Sequence, residues 1–381
     1  MRIAVDARET TGPNFGGLSG YTVHLTRALA HAGHDVTALL PTCRARESAL
    51  QTDEPNLRFR LIDTGTWTPS VPRFREWWEQ ELLPGSLAGH GYDVFLSPAF
   101  TKPLRWNGPS VVVVHDLAFE YGSRFNSPSS VEFYRRWAAR CAQEADCVIA
   151  VSDFTREEIN QRWGLGDKTV VAYPAPCLNG SAGNNKESED RAAAAIGVET
   201  NYALYVGGRF PRKNMRRLLE GVARVAELVA DFTLVLAVKS NGELDLLVDE
   251  LGIGPNIKFA GFVPAEDLPH VYATADFLVY PSLYEGFGLP PLEAACCGTP
   301  SAVSDIEPLR EVMGEAAVFF DPNDVAAIAQ AIYSLAKDVM LRNEIAKSCM
   351  ERSKHFDWSA SAQVVGRALE QAVAIHQRNT S

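Results

Sequence analysis

Residues 284–293 read YEGFGLPPLE, and this stretch limits the fold and the chemistry of the chain more than any other. It follows an apolar, strand-like run, Phe277–Pro281, and leads into the helical pattern LEAACC. Proline is tolerated in the first turn of a helix, because its missing N–H group would have no partner there. The N–H groups of Gly286 to Leu289 are therefore expected at the positive end of a helix dipole, where they suit a phosphate or a hydroxyl group.

Two glutamates bracket this loop. Glu285 stands at its mouth, and Glu293 lies inside the helix, eight positions further along. A helix N-terminus between two acceptor carboxylates suits a ligand that is anionic in the middle and rich in hydroxyl groups at both ends, as a nucleotide sugar is. Each glutamate alone also fits a solvated loop or a favourable acid near a helix start. The interpretation therefore depends on the whole string.

The complete string YEGFGLPPLEAACCGTP, which ends at Pro300, resembles the donor-site signature of retaining glycosyltransferases of family 4, which have the GT-B fold. The likeness covers nearly the whole chain, through HDLAFEYGSRFNSP at residues 115–128, VSDFT and GGRFPRKN. In these segments the chain is similar to bacterial mannosyltransferases of surface-polysaccharide assembly. The resemblance implies two Rossmann-like domains facing across a cleft, with the last helix crossing back to the first domain.

The resemblance also implies which residues meet the donor and that the anomeric configuration is retained. Glu285 would accept hydrogen bonds from hydroxyl groups of the sugar, and Glu293 from those of the ribose. A covalent nucleophile is not established in the family, so Glu285 is assigned the orientation of the donor. The other residues of this loop that are assigned to substrate binding are Gly286, Phe287, Gly288 and Leu289.

The length of 381 residues and the alternation of short apolar runs with amphipathic helical stretches predict an α/β protein of two domains, each a parallel sheet covered by helices. A Pro-, Gly-, Asn- and Ser-rich stretch, Pro174–Thr200, interrupts this alternation, although its alanine run allows a short helix. The predicted parts are an N-terminal acceptor-side domain at 1–174, a linker at 175–200, a C-terminal donor-binding domain at 201–355, and a crossover helix and tail at 356–381.

The strand predictions place the carboxyl ends of both sheets at a ligand cleft between the two halves. Helices are predicted between the strands, for instance over Tyr21–Ala32 and Pro128–Ala145. In the first half the predicted strands are Ile3–Asp6, Val36–Leu40, Leu57–Ile62, Val94–Ser97, Val111–His115 and Val148–Ser152. In the second half they are Tyr202–Gly207, Phe232–Val238, Ile257–Gly261, Phe277–Tyr280, Ser301–Val303 and Val318–Phe320. The predicted crossover helix is Phe356–His376.

The segment YVGGRFPRKN at residues 205–214 carries two cations four positions apart, Arg209 and Lys213. A planar guanidinium and a compact ammonium beside flexible glycines suit the neutralisation of a diphosphate leaving group. The family has an Arg and a Lys at this place, and Arg209 and Lys213 match by spacing. Because Arg212 lies in the same segment, the choice of arginine stays open.

His115 and Asp116 end a run of four valines and are expected at the carboxyl end of a strand, where ligands bind in α/β sheets. A neutral histidine both donates and accepts hydrogen bonds. The resemblance implies a place for His115 beside the donor sugar and its leaving phosphate, and Asp116 is assigned to substrate binding with it. The alternative is that either residue caps the loop that follows.

Near the N-terminus, the strand-like IAVDA leads into TTGPNFGGLSGYT and a helix. Gly16, Gly17 and Gly20 allow the backbone to approach a ligand closely. The resemblance implies a loop over the donor phosphates, with Gly16 and Gly17 as the contacts. A dinucleotide site is disfavoured, because G-x-G-x-x-G is absent and no acidic residue ends the second predicted strand. A flexible strand-to-helix turn is the remaining alternative.

The net charge of −11 is unevenly placed, since residues 1–184 carry 18 Lys and Arg against 20 Asp and Glu, and the remainder 18 against 27. An acidic chain without basic runs is a poor candidate for nucleic-acid binding. The nearly neutral first half is expected to be the side that meets an anionic acceptor or makes peripheral contact with a membrane surface. The acceptor itself is expected to be a glycan or a lipid-linked glycan. The segment Trp67–Leu83, with three tryptophans, is interpreted as a helix that covers Trp77 or Trp78 in the core, rather than as a surface that contacts a membrane interface or a large acceptor.

No apolar run approaches the roughly 20 residues that span a bilayer, and the N-terminal MRIAVDARE lacks the apolar part of a signal peptide. Seven cysteines without metal-like spacing indicate reduced thiols and a cytoplasmic protein, at most peripheral on the inner face of the membrane. Cys296 and Cys297 are predicted to pack in the core. Because no Asp-x-Asp element ends a predicted strand, we expect no metal and no cofactor apart from the donor substrate.

These patterns favour a retaining glycosyltransferase that moves a hexose, in the first place mannose from GDP-mannose, to a hydroxyl group of the acceptor. A UDP-hexose donor is the next alternative. A nucleotide-sugar epimerase, a phosphorylase and a non-catalytic sugar-nucleotide binder are more distant. A phosphorylase would need a pyridoxal-bearing lysine in a recognisable setting, and the glutamate pair with Arg209 and Lys213 argues against a mere binder.

Overall fold

The computed structural model of the protein describes residues 1–11, 16–43, 48–50, 54–65, 73–178, 182–199 and 201–380. The chain forms two compact units. The first consists of Met1–Glu120, Pro128–Cys177 and Phe356–Ser381, and the second of Tyr121–Ser127 and Leu178–His355.

The first unit is a seven-stranded parallel sheet with helices packed on it. Its strands are β1 (Arg2–Asp6), β2 (Asp35–Pro41), β3 (Leu57–Ile62), β4 (Val94–Ser97), β5 (Ser110–Val114), β6 (Cys147–Ala150) and β7 (Thr169–Val171). Its helices are α1 (Gly17–His31), α2 (Phe74–Trp77), α3 (Leu83–Leu87), α4 (Pro128–Glu144), α5 (Asp153–Trp163) and the C-terminal helix Trp358–Thr380, and a π-helical turn, Trp78–Leu82, joins α2 to α3. The strand order is β3-β2-β1-β4-β5-β6-β7.

The central strands of this sheet are buried along their whole length. In β5 all five residues, SVVVV, are buried, as are the four of β6. The two strands pair in parallel, with Val112 opposite Val148 and Val114 opposite Ala150. A strand that is covered on both faces reads as a continuous apolar run, which is why these segments were recognisable in the sequence.

The C-terminal helix packs within the first unit, against α1 and the strands β4 to β7. The indole N–H of Trp358, at the start of the helix, donates to the carbonyl oxygen of Pro176 at 2.9 Å. The Trp358 ring stacks on His24 with centroids 5.6 Å apart and lies edge-on to Tyr21 at 5.5 Å. The predicted return of the last helix to the first domain is therefore confirmed.

The second unit is a six-stranded parallel sheet in the order β10-β9-β8-β11-β12-β13. Its strands are β8 (Ala203–Val206), β9 (Leu234–Ala237), β10 (Ile257–Phe259), β11 (Phe277–Tyr280), β12 (Ser301–Ser304) and β13 (Val318–Phe320). Its helices are α6 (Lys186–Ile196), α7 (Met215–Ala226), α8 (Gly242–Glu250), α9 (Leu268–Thr274), α10 (Leu289–Cys296), α11 (Glu307–Met313), α12 (Val325–Lys337) and α13 (Val339–Ser353).

Each sheet has one place where the strand order reverses. In the first unit this place lies between β1 and β4, and in the second between β8 and β11. The loops that leave the carboxyl ends of two such strands run in opposite directions and open a crevice, which is where α/β sheets bind their ligands.

The stretch predicted as a linker, 175–200, contains a helix of eleven residues, α6. This helix packs on α9 in the second unit, where Arg191 Nε donates to Asp267 Oδ1 at 3.1 Å. Ser188 Oγ lies 2.9 Å from Nδ1 of His270. Asn185 caps the helix by accepting from the Ser188 N–H group. In the sequence this helix-start residue could not be told apart from the other polar residues of the segment.

All seven cysteines are free thiols. The prediction for Cys296 and Cys297 is wrong, because Cys296 is exposed and Cys297 is half-buried at the end of α10. Their neighbours Ala294 and Ala295 take the buried positions of that last turn. Within the described ranges, no helix is long and apolar enough to cross a membrane.

Substitution of Leu369 by alanine should lower the free energy of unfolding of the first unit by about 2–5 kcal/mol, because this fully buried side chain belongs to the C-terminal helix. All seven tryptophans of the sequence fall within the ranges of the first unit, so tryptophan fluorescence during urea unfolding reports on that unit. Arg367→Ala, on the exposed face of the same helix, is the control. An unchanged transition in Leu369→Ala would show that the helix does not stabilise this unit.

Candidate functional site

The loops that follow β8 and β11 meet at the point where the second sheet reverses its order. The first loop ends in a 3₁₀ turn, Pro211–Lys213, and then Asn214, which has a φ of 59° and precedes α7. Asparagine adopts this left-handed conformation more readily than most residues. The buried side-chain amide of Asn214 donates to the carbonyl oxygens of Pro281 at 3.0 Å and Pro322 at 2.7 Å. One side chain thereby ties three loops together.

The carboxylate of Glu285 lies at the centre of the site and is buried, with 6% of the residue exposed. Its Oε1 accepts from Lys213 Nζ at 2.6 Å and from the Tyr280 hydroxyl at 3.0 Å. Its Oε2 accepts from Arg212 Nη1 at 2.6 Å. The same Arg212 nitrogen donates to the carbonyl oxygen of Tyr284 at 3.1 Å, so both the side chain and the backbone of this loop are held.

The electrostatics of the site keep Glu285 ionised. Burial by itself would raise the pKa of Glu285, but the charges of Arg212 and Lys213 outweigh burial and lower the pKa to about 2. Burial and the neighbouring Glu285 raise the pKa of Tyr280, so its hydroxyl keeps its proton and donates. Two cations surround one carboxylate, and this group of side chains has a surplus of positive charge.

The helix α10 begins beside this group. Gly288, its N-cap residue, has a φ of 110°, and a Cβ at this position would overlap the Cδ2 methyl group of Leu309. The conformation and the contact both require glycine. Pro290 and Pro291 have no N–H group, whereas the N–H groups of Gly288 and Leu289 have no acceptor inside the helix. The positive end of the helix is thus presented through the backbone of two residues.

Glu293 lies on the second turn of α10 and is also buried. The hydroxyl of Tyr272, on α9, donates to its Oε2 at 3.0 Å. Burial and the Glu293 charge raise the pKa of Tyr272, so the phenol stays a donor. Tyr272 and Tyr280 therefore orient one carboxylate each, a role that the sequence did not reveal because both tyrosines are also fully buried core residues.

Arg209 does not join Lys213 and Glu285 in the structure. Its Nη1 donates to the carbonyl oxygens of Lys239 at 3.1 Å and Ser240 at 3.3 Å. The arginine that contacts Glu285 is Arg212, and not Arg209, which matches the family by spacing. The 3₁₀ turn explains the difference, because it places Arg212 and Lys213 together at its end, while Arg209 lies before it.

In the first unit, His115 and Asp116 directly follow β5. His115 Nε2 lies 2.6 Å from the carbonyl oxygen of Pro98. A carbonyl only accepts, so Nε2 carries the proton and Nδ1 is an acceptor. Burial lowers the pKa of His115 in spite of this hydrogen bond and the nearby Asp116 charge. Asp116 Oδ1 accepts from the Ala118 N–H group at 2.9 Å and caps the turn that follows.

Gly16 is the N-cap residue of α1, and Gly17 is the first residue of that helix. Both glycines are exposed, and among the described residues, apart from the adjoining backbone, no atom lies within 4 Å of the place where a Cβ of Gly16 would be. The Gly16 carbonyl oxygen accepts from the Gly20 N–H group at 2.9 Å. The preceding residues, 12–15, lie outside the described ranges.

The core position predicted for Trp77 or Trp78 is confirmed for Trp78. Trp78 is fully buried, and its indole N–H donates to Asp6 Oδ1 at 3.0 Å. Trp67 lies outside the described residues. Among the residues that the structure describes, no group of three or more His, Cys, Asp or Glu side chains is arranged to hold a metal ion.

Comparison with known proteins identifies relatives along both units. A family described as "Glycosyl transferases group 1" matches residues 186–352, and "Glycosyltransferase Family 4" matches residues 15–175. The chain is 32% identical to O-antigen chain mannosyltransferase B of Escherichia coli over 273 residues, which cover 70% of this chain and 71% of that protein. It is 28% identical to the serotype-specific mannosyltransferase WbdA of Escherichia coli over 72% of this chain, and the match spans 35% of WbdA.

The fold is shared with solved structures. A crystal structure of the Anabaena protein HepE in complex with UDP-glucose has a TM-score of 0.74, with 18% sequence identity, and the match covers 97% of this chain and 99% of HepE. The predicted class, two Rossmann-like α/β units of the GT-B type, is confirmed by this likeness together with the two parallel sheets.

Arg212→Gln should lower the free energy of unfolding of the second unit by about 2 kcal/mol, because the buried Glu285 loses one of its two cations. Arg209→Gln, which changes an exposed arginine in the same segment, should stay within about 0.5 kcal/mol of the parent. Urea unfolding followed by far-ultraviolet circular dichroism measures both. Equal effects of the two substitutions would contradict the assignment of Arg212 as the partner of Glu285.

Proposed function

This chain belongs to the glycosyltransferases of group 1 and family 4, and we propose that it transfers mannose from GDP-mannose to a hydroxyl group of a glycan or lipid-linked glycan, with retention of the anomeric configuration. The observation that supports this proposal most is the ionised Glu285, held by Lys213 and Arg212 at the start of α10. Retention is inherited from the family resemblance.

The positive charge of the site suits the departing nucleoside diphosphate. As the glycosidic bond breaks, positive charge develops at the anomeric carbon and negative charge on the diphosphate. Donors that are already oriented toward the developing charge are usually the largest contribution to catalysis. Lys213, Arg212 and the N–H groups of Gly288 and Leu289 are such donors, since two cations outnumber the one carboxylate between them.

The two glutamates are acceptors for hydroxyl groups at either end of the donor. Glu285 is ionised and oriented by Tyr280, so it can accept hydrogen bonds from hydroxyl groups of the hexose. Its assignment as a donor-orienting residue, and not as a nucleophile, comes from the family resemblance. Glu293, oriented by Tyr272, accepts from the ribose hydroxyls. Arg209 is proposed to contact the diphosphate on the family resemblance alone. In this structure its side chain donates to two backbone carbonyl oxygens instead.

The residues of the first unit enter the proposal through the resemblance. His115 is proposed to accept a hydrogen bond from the donor sugar through Nδ1, the nitrogen that the Pro98 contact leaves unprotonated. Gly16, Gly17 and Asp116 are proposed as further donor contacts. The remaining loop residues proposed to contact the donor are Gly286, Phe287, Gly288 and Leu289.

The choice of mannose is supported by two relatives of the chain, O-antigen chain mannosyltransferase B and the mannosyltransferase WbdA of Escherichia coli. We also propose that turnover needs no divalent metal, because Arg212, Lys213 and the helix start supply positive charge to the leaving group. A cytoplasmic location, with at most peripheral contact with the inner face of the membrane, remains part of the proposal and rests on the cysteine content.

The donor is tested by thermal stabilisation with GDP-mannose, GDP, UDP-glucose, UDP-N-acetylglucosamine and NAD at equal concentration. A ligand at a hundredfold its dissociation constant adds about 2.7 kcal/mol to the free energy of unfolding. Selective stabilisation by the guanosine ligands is expected. A preference for uridine ligands would keep the transferase and exclude mannose from GDP-mannose, and stabilisation by NAD alone would overturn the assignment.

Glu285→Gln should lower turnover of GDP-mannose by roughly 10²–10³-fold, because an amide is a weaker acceptor and presents N–H donors to the neighbouring cations. The affinity for GDP, which has no hexose, should change by less than about threefold. Glu315→Gln, a fully exposed glutamate of the same unit, is the control. Turnover of Glu285→Gln close to that of the control would remove Glu285 from the mechanism.

A further inference from the structure

A cavity of about 700 Å³ opens in the first unit, and no role has yet been assigned to it. It lies at the carboxyl ends of β1 and β2, beside the place where this sheet reverses its strand order. Ligands of α/β sheets bind at such places. Its lining includes Arg8, Glu9, Arg75, Phe133, Arg136 and Trp137.

One wall of the cavity is fixed by buried ion pairs. Arg8 is 6% exposed, and its guanidinium bonds to Glu79 and lies 3.4 Å from Asp6 Oδ2. Glu79 Oε1 also accepts from the Thr101 hydroxyl at 2.5 Å. Because loss of the Arg8 charge would leave the buried carboxylates of Asp6 and Glu79 without this cation, the wall is expected to hold one arrangement.

The polar pair nearest to this wall is Arg75 and Glu9. Arg75 Nη2 donates to Glu9 Oε1 at 3.0 Å, and its Nη1 donates to the Tyr134 hydroxyl at 2.5 Å. The guanidinium also lies 5.2 Å from the centre of the Phe133 ring. Arg75 is thus held in one orientation. Its side chain is still 34% exposed, and that of Glu9 is 22% exposed, so both can be reached by a ligand.

The other wall is the first half of α4. The Arg136 guanidinium lies 5.1 Å from the centre of the Trp137 ring, and its Nη1 is 3.8 Å from Glu76 Oε1. Phe133 stands one turn earlier on the same helix. The cavity therefore has aromatic faces and oriented guanidinium groups side by side.

The lining combines donors and acceptors. Four arginines supply N–H groups, and three glutamates supply carboxylate oxygens. A phosphate presents acceptors only, and three carboxylates would oppose it. A neutral sugar presents hydroxyl groups that both donate and accept, and the C–H face of its ring suits an aromatic side chain. The composition of the cavity fits a sugar better than an anion.

We propose that this cavity is the acceptor site and that it binds a neutral sugar unit of the acceptor glycan, with adjacent hydroxyl groups bonded to Arg75 and Glu9 and the ring against Phe133 or Trp137. This inference rests on the proposed function, which requires a glycan acceptor. It adds the class of the acceptor unit and the residues that select it.

Binding is tested first without any donor, by saturation-transfer NMR with methyl α-mannoside and the α1→2, α1→3 and α1→6 mannobioses as probes. At least one probe is expected to bind, and Arg75→Met and Arg136→Met should each weaken its affinity about tenfold, a loss of about 1.4 kcal/mol. Arg140→Met is the matched control, because Arg140 lies one turn after Arg136 on α4, also pairs with a glutamate, and does not line the cavity.

Steady-state kinetics with the same probe as acceptor provide the second test. The acceptor KM should rise about tenfold in Arg75→Met and Arg136→Met, whereas the KM for GDP-mannose should stay within about twofold. Equal effects of Arg136→Met and Arg140→Met on the acceptor would overturn the inference. The inference would also be overturned if no mannoside bound, inorganic pyrophosphate did bind, and Arg75→Met abolished the binding of pyrophosphate.

The two proposals fail in different ways. If GDP-mannose neither binds nor turns over but the mannobiose affinity depends on Arg75 and Arg136, the donor assignment fails and the sugar-binding cavity stands. If GDP-mannose is turned over and the acceptor affinity is unchanged in both variants, the transferase stands and the cavity is not its acceptor site.

Discussion

The buried carboxylate of Glu285 and its two cations are the interaction on which the candidate donor site depends. A carboxylate that is 6% exposed would be strongly disfavoured without partners, and Lys213 and Arg212 make its ionised form the stable one. Because the cations come from the loop after β8 and the glutamate from the loop after β11, the ion pairs also join these loops. Asn214 adds a second connection between the same loops.

This joining explains why the site can be ready before its ligand arrives. A donor group contributes most to catalysis when it needs no rearrangement as charge develops. The required glycine at position 288 fixes the start of α10 beside the cations, and tyrosines on β11 and α9 fix the two carboxylates. Each of these contacts lies within the second unit, so its order follows from the fold of that unit alone.

The sequence predicted the positions of most strands well, and Leu57–Ile62, Val94–Ser97, Phe277–Tyr280 and Val318–Phe320 have the predicted bounds. Buried parallel strands such as Val94–Ser97 and Phe277–Tyr280 read as apolar runs. The prediction missed β7, whose three residues are too few to show a period. The strand ends also placed Glu285 and Lys213 in neighbouring loops. The sequence could not decide whether Arg209 or Arg212 contacts Glu285, because a local 3₁₀ turn determines which arginine reaches the carboxylate. The cavity of the first unit could not be predicted from the sequence, because its ion pairs join residues that are far apart in the chain, such as Arg8 and Glu79.

The most direct test of this account is a crystal structure of the protein with GDP-mannose bound. The account predicts the diphosphate within about 3 Å of the Leu289 N–H group and of Lys213 or Arg212, with Glu285 bonded to hydroxyl groups of the mannose. A nucleotide bound elsewhere, with the ion pairs of Glu285 unchanged and the start of α10 empty, would contradict it.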